Sequence, residues 1–388
     1  MPYWRLSGFY FFYFSALGVL VSWLGLYFKQ IGFDAAQIGY ITAIMYLSRI
    51  VAPNVWAWAA GYSGQRLWIV KLASLLALIS FTAAFFTTDF WWLALVFLLF
   101  SFFWNAALPQ VEAATMQHSL GETSVYSRVR LWGSVGFIVV AIGLGPILDV
   151  TSYWWVLPSL FVCLLGIFIF SLIIPESQAE ASNEVAEPLL RLMMRPRVAA
   201  FLLVCLLMQA SHGPYYTFYS IYLNESGYSG TAIGLLWAFG VVCEIAVFLW
   251  LHHVKRHIGL RHILLISFSL AALRWLLIGF FPQQVWILIF AQVLHAVTFG
   301  VYHATAIEMV HKFFTGRHHC RGQAIYGSIS FGIGGALGSF YSGLLWKQAG
   351  ATMTFAIAAG LAFFAFIIVA VFIRPGNSGD VVASGPGQ

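Results

Sequence analysis

Charged residues are scarce in this sequence, and their scarcity limits the class of protein that it can encode. Asp, Glu, Lys and Arg make up only 8% of the 388 residues, whereas hydrophobic residues make up 61%. Soluble globular domains carry about 25% charged residues, so this composition excludes such a domain. It is typical of an integral membrane protein.

Cysteine, metal-site and catalytic motifs are missing as well. The cysteines follow no disulfide or zinc spacing and lie in or beside apolar runs, which indicates packing residues: Cys163, Cys205, Cys243 and Cys320. Nothing readable resembles HExxH, a Ser-His-Asp set or paired aspartates in neighbouring spans. A metal site would depend on loop histidines that lack carboxylate neighbours: His252, His253, His257 and His262. We therefore expect no enzymatic activity, no metal and no cofactor.

Long apolar runs are what the sequence does have, and each is long enough to cross about 30 Å of hydrocarbon. There are twelve: 7–28, 36–60, 68–88, 90–116, 127–148, 153–174, 198–223, 231–252, 262–281, 285–311, 321–346 and 352–373. Runs of this length predict helices, so the expected fold class is an all-α membrane protein of twelve spans. Arg5 is the only charged side chain before the first run, and no A-x-A cleavage site follows that run. This pattern is typical of a retained span and not of a cleaved signal peptide.

Lysine and arginine are divided unevenly between the two sets of loops. One set holds only Lys29 and Lys347, and the other holds fourteen: Arg5, Arg66, Lys71, Arg128, Arg191, Arg195, Arg197, Lys255, Arg256, Arg261, Lys312, Arg317, Arg321 and Arg374. The positive-inside rule places both termini in the cytoplasm, in a bacterial-type inner membrane. The net charge of +6 then reflects topology and indicates no nucleic-acid partner.

The chain divides into two halves of six runs each. Its one long polar internal stretch, 175–197, separates a predicted N-terminal half, 1–174, from a C-terminal half, 198–373, with a tail at 374–388. A shift of 195 residues aligns Gly18 with Gly213, and Arg66 with Arg261. An even number of spans in each half predicts parallel repeats, with a binding site between the halves near the membrane midplane.

A small, balanced set of ionisable residues lies inside the apolar runs: Arg49, Glu112, Arg130, Glu244, Arg274 and Glu308, with His295 and His303 beside them. A charge at a helix centre costs about 2.5–3.5 kcal/mol, so each needs a partner, water or a function. Glu112 and Arg130 lie at matching ends of consecutive spans, where their side chains can meet. Four others lie near the middle of their spans and could share one layer: Arg49, Glu244, Arg274 and His295.

Structural explanations of these charges stay open beside the functional ones. Arg130 could reach the cytoplasmic headgroups by snorkelling. A static Arg274–Glu244 or Arg49–Glu244 bridge could lock helices together. Glu308, near the cytoplasmic end of its span, could serve as a gate or a loop anchor.

Glu112 precedes Arg130 by 18 residues, and Arg130 lies in the segment "RVRLWGSVGF". This spacing and this segment resemble those of the major facilitator branch that contains lactose permease and the phenylpropionate permeases. The similarity runs through nearly all twelve spans, and it implies that Arg130 donates two hydrogen bonds to substrate and that Glu112 accepts. Two segments resemble the phenylpropionate permeases more closely: "LWGSVGF", which contains Trp132, and "VLHAVTFGVYHA", which contains His303. This implies that an arginine holds a substrate carboxylate while aromatic side chains pack on its ring.

The spacing of Glu244, Arg274 and His295 resembles the proton-coupling region of the same family. The sequence departs from it at Thr298, where that family has an essential carboxylate. Glu244, His295 or Glu308 would then have to carry the proton, with Arg274 as the charge that displaces it. We therefore expect the proton as coupling ion.

Tyrosines in "GPYYTFYSIY" lie on one face of the seventh span just after a proline: Tyr215, Tyr219 and Tyr222. Lipid-facing packing is one explanation of this face. Because a phenol is hard to leave unpaired in hydrocarbon, a face on the substrate cavity is the other.

Together these features predict a monomeric proton symporter, in contact with lipid, that imports a small aromatic carboxylate. A symporter of sugars or nucleosides is the alternative, because Glu112 and Arg130 also suit ligands rich in hydroxyl groups. A receptor without transport activity is a further class, but the sequence shows no appended signalling domain.

Overall fold

The protein is described by a computed structural model that covers residues 1–63, 66–176, 189–315 and 319–373. Eleven stretches of helix in these ranges are long and apolar enough to cross a membrane. The last of them, Arg321–Phe372, has 52 residues and turns back at Gly350, where φ is +80° and ψ is 176°. These angles interrupt an α-helix, and glycine adopts them without steric cost. Gly350 therefore divides this stretch into two spans. The predicted fold class of twelve membrane helices is confirmed.

Six membrane helices precede the linker: α1 (Tyr3–Ser22, continued beyond Trp23 as Leu24–Gln30), α2 (Ala35–Ser63), α3 (Arg66–Thr82), α4 (Phe90–His118), α5 (Thr123–Val150) and α6 (Val156–Ile173). Single 3₁₀ turns follow α3, at Ala83–Phe86, and precede α6, at Tyr153–Trp155. Several helices extend a few residues beyond the apolar runs, because polar residues at a helix end can continue the hydrogen bonds of the helix backbone.

Six more membrane helices follow: α7 (Pro196–Ser211, continued after His212 as Gly213–Glu225), α8 (Gly230–His257), α9 (Leu260–Phe280), α10 (Val285–Phe313) and the α11–α12 pair. A short helix, Leu189–Met193, precedes α7. α11 starts as His319–Tyr326 and passes through a π-helix, Gly327–Gly334. The helix Gly335–Phe372 then completes α11 before Gly350 and forms α12 after it.

The linker and tail boundaries stay predictions. Residues 177–188 of the linker and the tail, 374–388, lie outside the described residues.

Both halves repeat the same helix contacts. α1 packs on α5, α2 on α4 and α3 on α6, and in the second half α7 packs on α11, α8 on α10 and α9 on α12. The halves meet through α2 against α11 and α5 against α8. The molecule is therefore a pair of pseudo-symmetric six-helix halves with one interface between them.

Glycines bring the two halves into backbone contact. A Cβ added at Gly39 of α2 would lie 2.7 Å from the Ser339 carbonyl oxygen and 2.8 Å from the Gly343 Cα of α11. At the other contact, a Cβ at Gly145 of α5 would lie 2.5 Å from the Gly230 carbonyl oxygen of α8. Without a hydrophobic driving force in lipid, such close approach is what holds membrane helices together.

Polar contacts seal one end of the interface, here called the closed end and defined by Lys29, Asp34, Glu225 and Lys347. Lys29 Nζ lies 2.8 Å from Glu225 Oε1, and Lys347 Nζ lies 2.7 Å from Asp34 Oδ2. Each pair joins one half to the other. The hydrogen bond from Lys347 lowers the pKa of Asp34. The stability that this ion pair contributes is therefore fully present at pH values above the usual pKa of an aspartate, and it is lost as the pH falls through the lowered pKa of Asp34.

A helix cap adds to the closed end. Asp149, near the end of α5, accepts hydrogen bonds from the Thr231 backbone N–H at 2.9 Å and from its hydroxyl at 2.7 Å. A carboxylate in this position satisfies the free N–H groups of the first turn of α8.

We expect Gly39→Ala to destabilise the protein by about 1–3 kcal/mol, because the added methyl group meets backbone atoms of α11 that cannot rotate away. Gly360→Ala is the matched control, since a Cβ there meets nothing within 4 Å. Thermal unfolding in detergent measures the difference. Equal melting temperatures for the two variants would contradict the close helix contact.

Candidate functional site

A cavity lies between the halves, bordered by α1, α2, α4 and α7. Its polar lining includes Arg49 of α2, Asn105 of α4, and Tyr216 and Thr217 of α7. Leucines of α1 form much of its apolar wall. Because α7 belongs to the second half, a ligand here would contact both halves.

Glu112 and Arg130 meet, as their positions predict. Arg130 Nε lies 3.7 Å from Glu112 Oε1, and the two side chains are 32% and 38% exposed. The Arg130 guanidinium also lies over the Phe14 ring, 3.9 Å from its centroid, and near the Tyr10 ring at 5.6 Å. Cation–π contact adds to its stabilisation where water is scarce. The pair lies toward the end of the helices opposite the closed end, and both side chains are partly exposed there.

Trp132 does not join this pair. Its Nε1 donates to the Tyr3 hydroxyl at 3.1 Å, and its ring meets the edge of Trp4 at 5.6 Å. Two residues along a helix turn the side chain by about 200°, so Trp132 faces the start of α1 while Arg130 faces its middle. The predicted substrate role of Trp132 has no support in this geometry.

Arg49 lines the cavity and stays without a carboxylate partner. Its guanidinium carbon lies 5.2 Å from the centroid of the Tyr46 ring. Within the described ranges, no Asp or Glu oxygen lies within 4.0 Å of it. The Arg49–Glu244 bridge left open by the sequence is therefore absent from this part of the chain.

Glu244 pairs with a histidine inside the second half. His295 Nε2 lies 2.6 Å from Glu244 Oε1, and the two side chains are only 6% and 15% exposed. Arg274 is fully buried beside them, where its Nε donates to the Ala291 carbonyl at 3.0 Å. Its guanidinium lies over the rings of Tyr215 and Trp275, at 4.1 and 4.5 Å. A static Arg274–Glu244 bridge, the other possibility from sequence, is therefore wrong.

Tyr215 and Tyr219 do not face the cavity. Both are buried, and Gln292 of α10 joins them: Tyr215 donates to its Oε1 at 2.9 Å, and its Nε2 donates to the Tyr219 hydroxyl at 2.7 Å. Tyr222 donates to the Gly279 carbonyl at 2.8 Å. Their neighbours Tyr216 and Thr217 line the cavity instead. The spacing of the tyrosines predicted that they share a face of α7, but it did not predict which face of the helix borders the cavity.

Gln292 is the member of this cluster that sequence reasoning missed. It is fully buried and lies one turn before His295. An amide in the middle of an apolar span was the available signal, because such a group needs partners in hydrocarbon just as a charge does.

A π-helix, Ala296–Val301, follows His295 directly in α10. Thr298 is buried within it, and its hydroxyl reaches the His295 carbonyl at 3.4 Å. His303, just after the π-helix, lies with Nδ1 2.9 Å from the Tyr326 hydroxyl of α11. Short π-helices within α-helices are frequent at functional sites. Here the π-helix separates the two predicted site histidines, His295 and His303.

Glu308 lies apart from these groups, at the end of α10. Its carboxylate is 2.9 Å from Lys255 Nζ of α8 and 3.3 Å from Lys312 Nζ. This is the geometry of a helix anchor, the structural alternative that the sequence left open. The side chains of His252 and His253 lie outside the described residues.

Comparisons with known proteins agree with this architecture. The family model described as "MFS_1 like family" matches residues 3–357. A probable 3-phenylpropionic acid transporter of Escherichia coli (strain K12) is 27% identical over 94% of this chain and 95% of that protein. A maltose permease of Geobacillus stearothermophilus is 22% identical over 88% and 86%. The crystal structure of nucleoside transporter NupG superposes with a TM-score of 0.83 at 18% identity, over 97% of this chain and 100% of that one.

We expect Gln292→Leu to destabilise the protein by about 1–3 kcal/mol, because it leaves the buried Tyr215 hydroxyl without an acceptor. Gln283→Leu, at an exposed position, is the matched control. The melting temperature of each purified variant is the measurement. A Gln292→Leu protein as stable as the control would show that the network contributes little.

Proposed function

The chain belongs to the MFS_1 like family, and from that premise we propose that it is a proton-coupled symporter importing an aromatic carboxylate such as 3-phenylpropionate. Its fold and relatives are those of membrane transporters. Transport would proceed by alternating access, as the two halves rock about a site between them. We further propose a monomer in the inner membrane, with both termini cytoplasmic and no cofactor besides the coupled proton.

The Glu244–His295 pair is the observation that carries the proposed proton coupling. A carboxylate and an imidazole 2.6 Å apart, and almost shielded from water, can share one proton. A further proton on this pair changes the charge buried in the second half, and a buried charge opposes movement through hydrocarbon. Arg274, whose contacts are a carbonyl and two aromatic faces, would favour loss of that proton when the site reopens.

The substrate class is supported by the arginines of the first half. The similar E. coli protein is a probable transporter of 3-phenylpropionic acid. Arg49 lines the cavity, and Arg130 lies against the rings of Tyr10 and Phe14, so the first half offers guanidinium donors next to apolar surface for an aromatic acid. A planar guanidinium suits a carboxylate better than a lysine does.

The transport cycle follows from the two ends of the interface. In this conformation the closed end is held by the Lys29–Glu225 and Asp34–Lys347 pairs. Release of substrate would occur at the opposite end, where the Arg130 and Glu112 side chains are 32% and 38% exposed. The pairs at the closed end would then separate as the halves rock, and they are exposed enough for water to replace them at little cost.

A symporter of sugars or nucleosides is the second candidate. Glu112 provides an acceptor for hydroxyl groups, and the maltose permease and the nucleoside transporter share the fold. The absence of a carboxylate from the lining of the described cavity argues against it, because sites for hydroxyl-rich ligands usually pair acceptors with donors.

We expect Glu244→Gln to abolish accumulation of labelled 3-phenylpropionate driven by a proton gradient in proteoliposomes, while exchange of labelled for unlabelled substrate continues. The amide cannot take up and release the coupled proton, but it leaves the first half intact. Glu308→Gln is the matched control and should stay within about twofold of wild type, since Glu308 lies in the helix anchor.

Protein-free liposomes correct for passive entry of the protonated acid. Wild-type uptake that ignores collapse of the pH gradient would overturn the symport, and equal loss in both variants would remove the special role of Glu244.

A further inference from the structure

We propose that Arg49 of α2 forms the subsite for the substrate's anionic group, whereas Arg130 does not; this inference rests on the proposed transport of an aromatic carboxylate. The subsite is defined by Arg49, Trp104, Tyr46 and Tyr216, which all line the cavity between the halves. It would take a monoanion with an apolar body.

The first argument is an uncompensated charge. Arg49 lies in the middle of a membrane helix, and its guanidinium contacts the Tyr46 ring at 5.2 Å. Of the described carboxylates, none reaches it, and none lines the cavity. An intramembrane cation without a counterion is costly, so a cavity that holds one favours an anionic ligand.

The second argument is a buried donor on the same cavity. Trp104 is 3% exposed, and its indole Nε1 has no hydrogen-bond partner within the described residues. A buried N–H that stays unpaired costs about 1–3 kcal/mol, and a ligand oxygen would satisfy it. The neighbouring amide of Asn105 already donates to Ser48 Oγ at 2.8 Å, so it holds α2 to α4 beside the site.

The third argument is rigidity and shape. The Trp104 ring stacks on Tyr13, with centroids 4.7 Å apart and planes 14° from parallel. This fixes the direction of the indole N–H. Leu17, Leu20 and Met45 form an apolar wall of the same cavity, on which a hydrocarbon or aromatic body could pack.

Arg130 is less suited to a single negative charge. Glu112 lies 3.7 Å from it, and the faces of two aromatic rings cover part of its guanidinium. Its charge is therefore already partly balanced, and an incoming carboxylate would meet Glu112 as a like charge. Arg49 offers the attraction without that repulsion.

The position of the subsite also connects binding to movement. Arg49 and Trp104 belong to the first half, whereas Tyr216 belongs to the second. A ligand held by both halves binds the closed and open arrangements with different affinity, and this difference is what shifts a conformational equilibrium.

The test measures binding of 3-phenylpropionate and of its neutral analogue 3-phenylpropanol to purified protein by calorimetry. We expect Arg49→Gln to weaken binding of the acid by about 10- to 100-fold, the effect of losing a charge-assisted hydrogen bond, and to leave binding of the alcohol within about twofold. Arg128→Gln, an exposed arginine on α5, is the matched control and should bind both as wild type does.

Trp104→Phe gives a second reading that does not depend on the folding of the arginine variant. It keeps the stacked ring but removes the N–H, so binding of the acid should weaken by about three- to tenfold. If Arg49→Gln and Trp104→Phe bind the acid as wild type does while Arg130→Gln does not, Arg130 is the anion site. The inference then fails and the proposed function stands. If wild type binds no aromatic acid, both fail.

Discussion

The interior of the membrane tolerates few uncompensated charges, and the arrangement of helices in this protein follows from that constraint. Each described carboxylate inside the apolar runs finds its partner within its own half: Glu112 with Arg130, Glu244 with His295, and Glu308 with Lys255. The ion pairs that cross between halves lie at the closed end, where the side chains are 41% to 60% exposed. Rocking of the halves would therefore break ion pairs that water can replace, and would leave each buried pair whole.

The same constraint separates two kinds of polar group inside the bundle. Gln292 ties Tyr215 and Tyr219 into a satisfied network that stabilises the second half. Arg49 lines a cavity without a carboxylate partner among the described residues, and the buried Nε1 of Trp104, which lines the same cavity, has no hydrogen-bond partner there. Satisfied groups explain stability, whereas unsatisfied groups next to a cavity indicate where a ligand could bind.

Sequence reasoning was strongest for the helices and weaker for the site. The apolar runs predict the spans, and the polar stretch 175–197 and the internal shift of 195 residues predict two related halves. The contact between Glu112 and Arg130 also follows, because consecutive antiparallel helices bring matching ends together. The sequence did not predict which face of α7 borders the cavity. Tyr215 and Tyr219 bind Gln292 within the second half, and Tyr216 lines the cavity instead.

The sequence by itself determined how many membrane helices the chain forms and where along each helix a charge lies, because hydrocarbon thickness and the cost of burying charge act on each span separately. Only the tertiary structure decided which of these groups meet. Four ionisable groups lie near the middle of their helices, yet Glu244 contacts His295, Arg274 contacts aromatic rings and a carbonyl, and Arg49 lines the cavity. The reason is geometric: depth is set by position along a helix, whereas partners are set by rotation about its axis, which depends on the packing of all its neighbours.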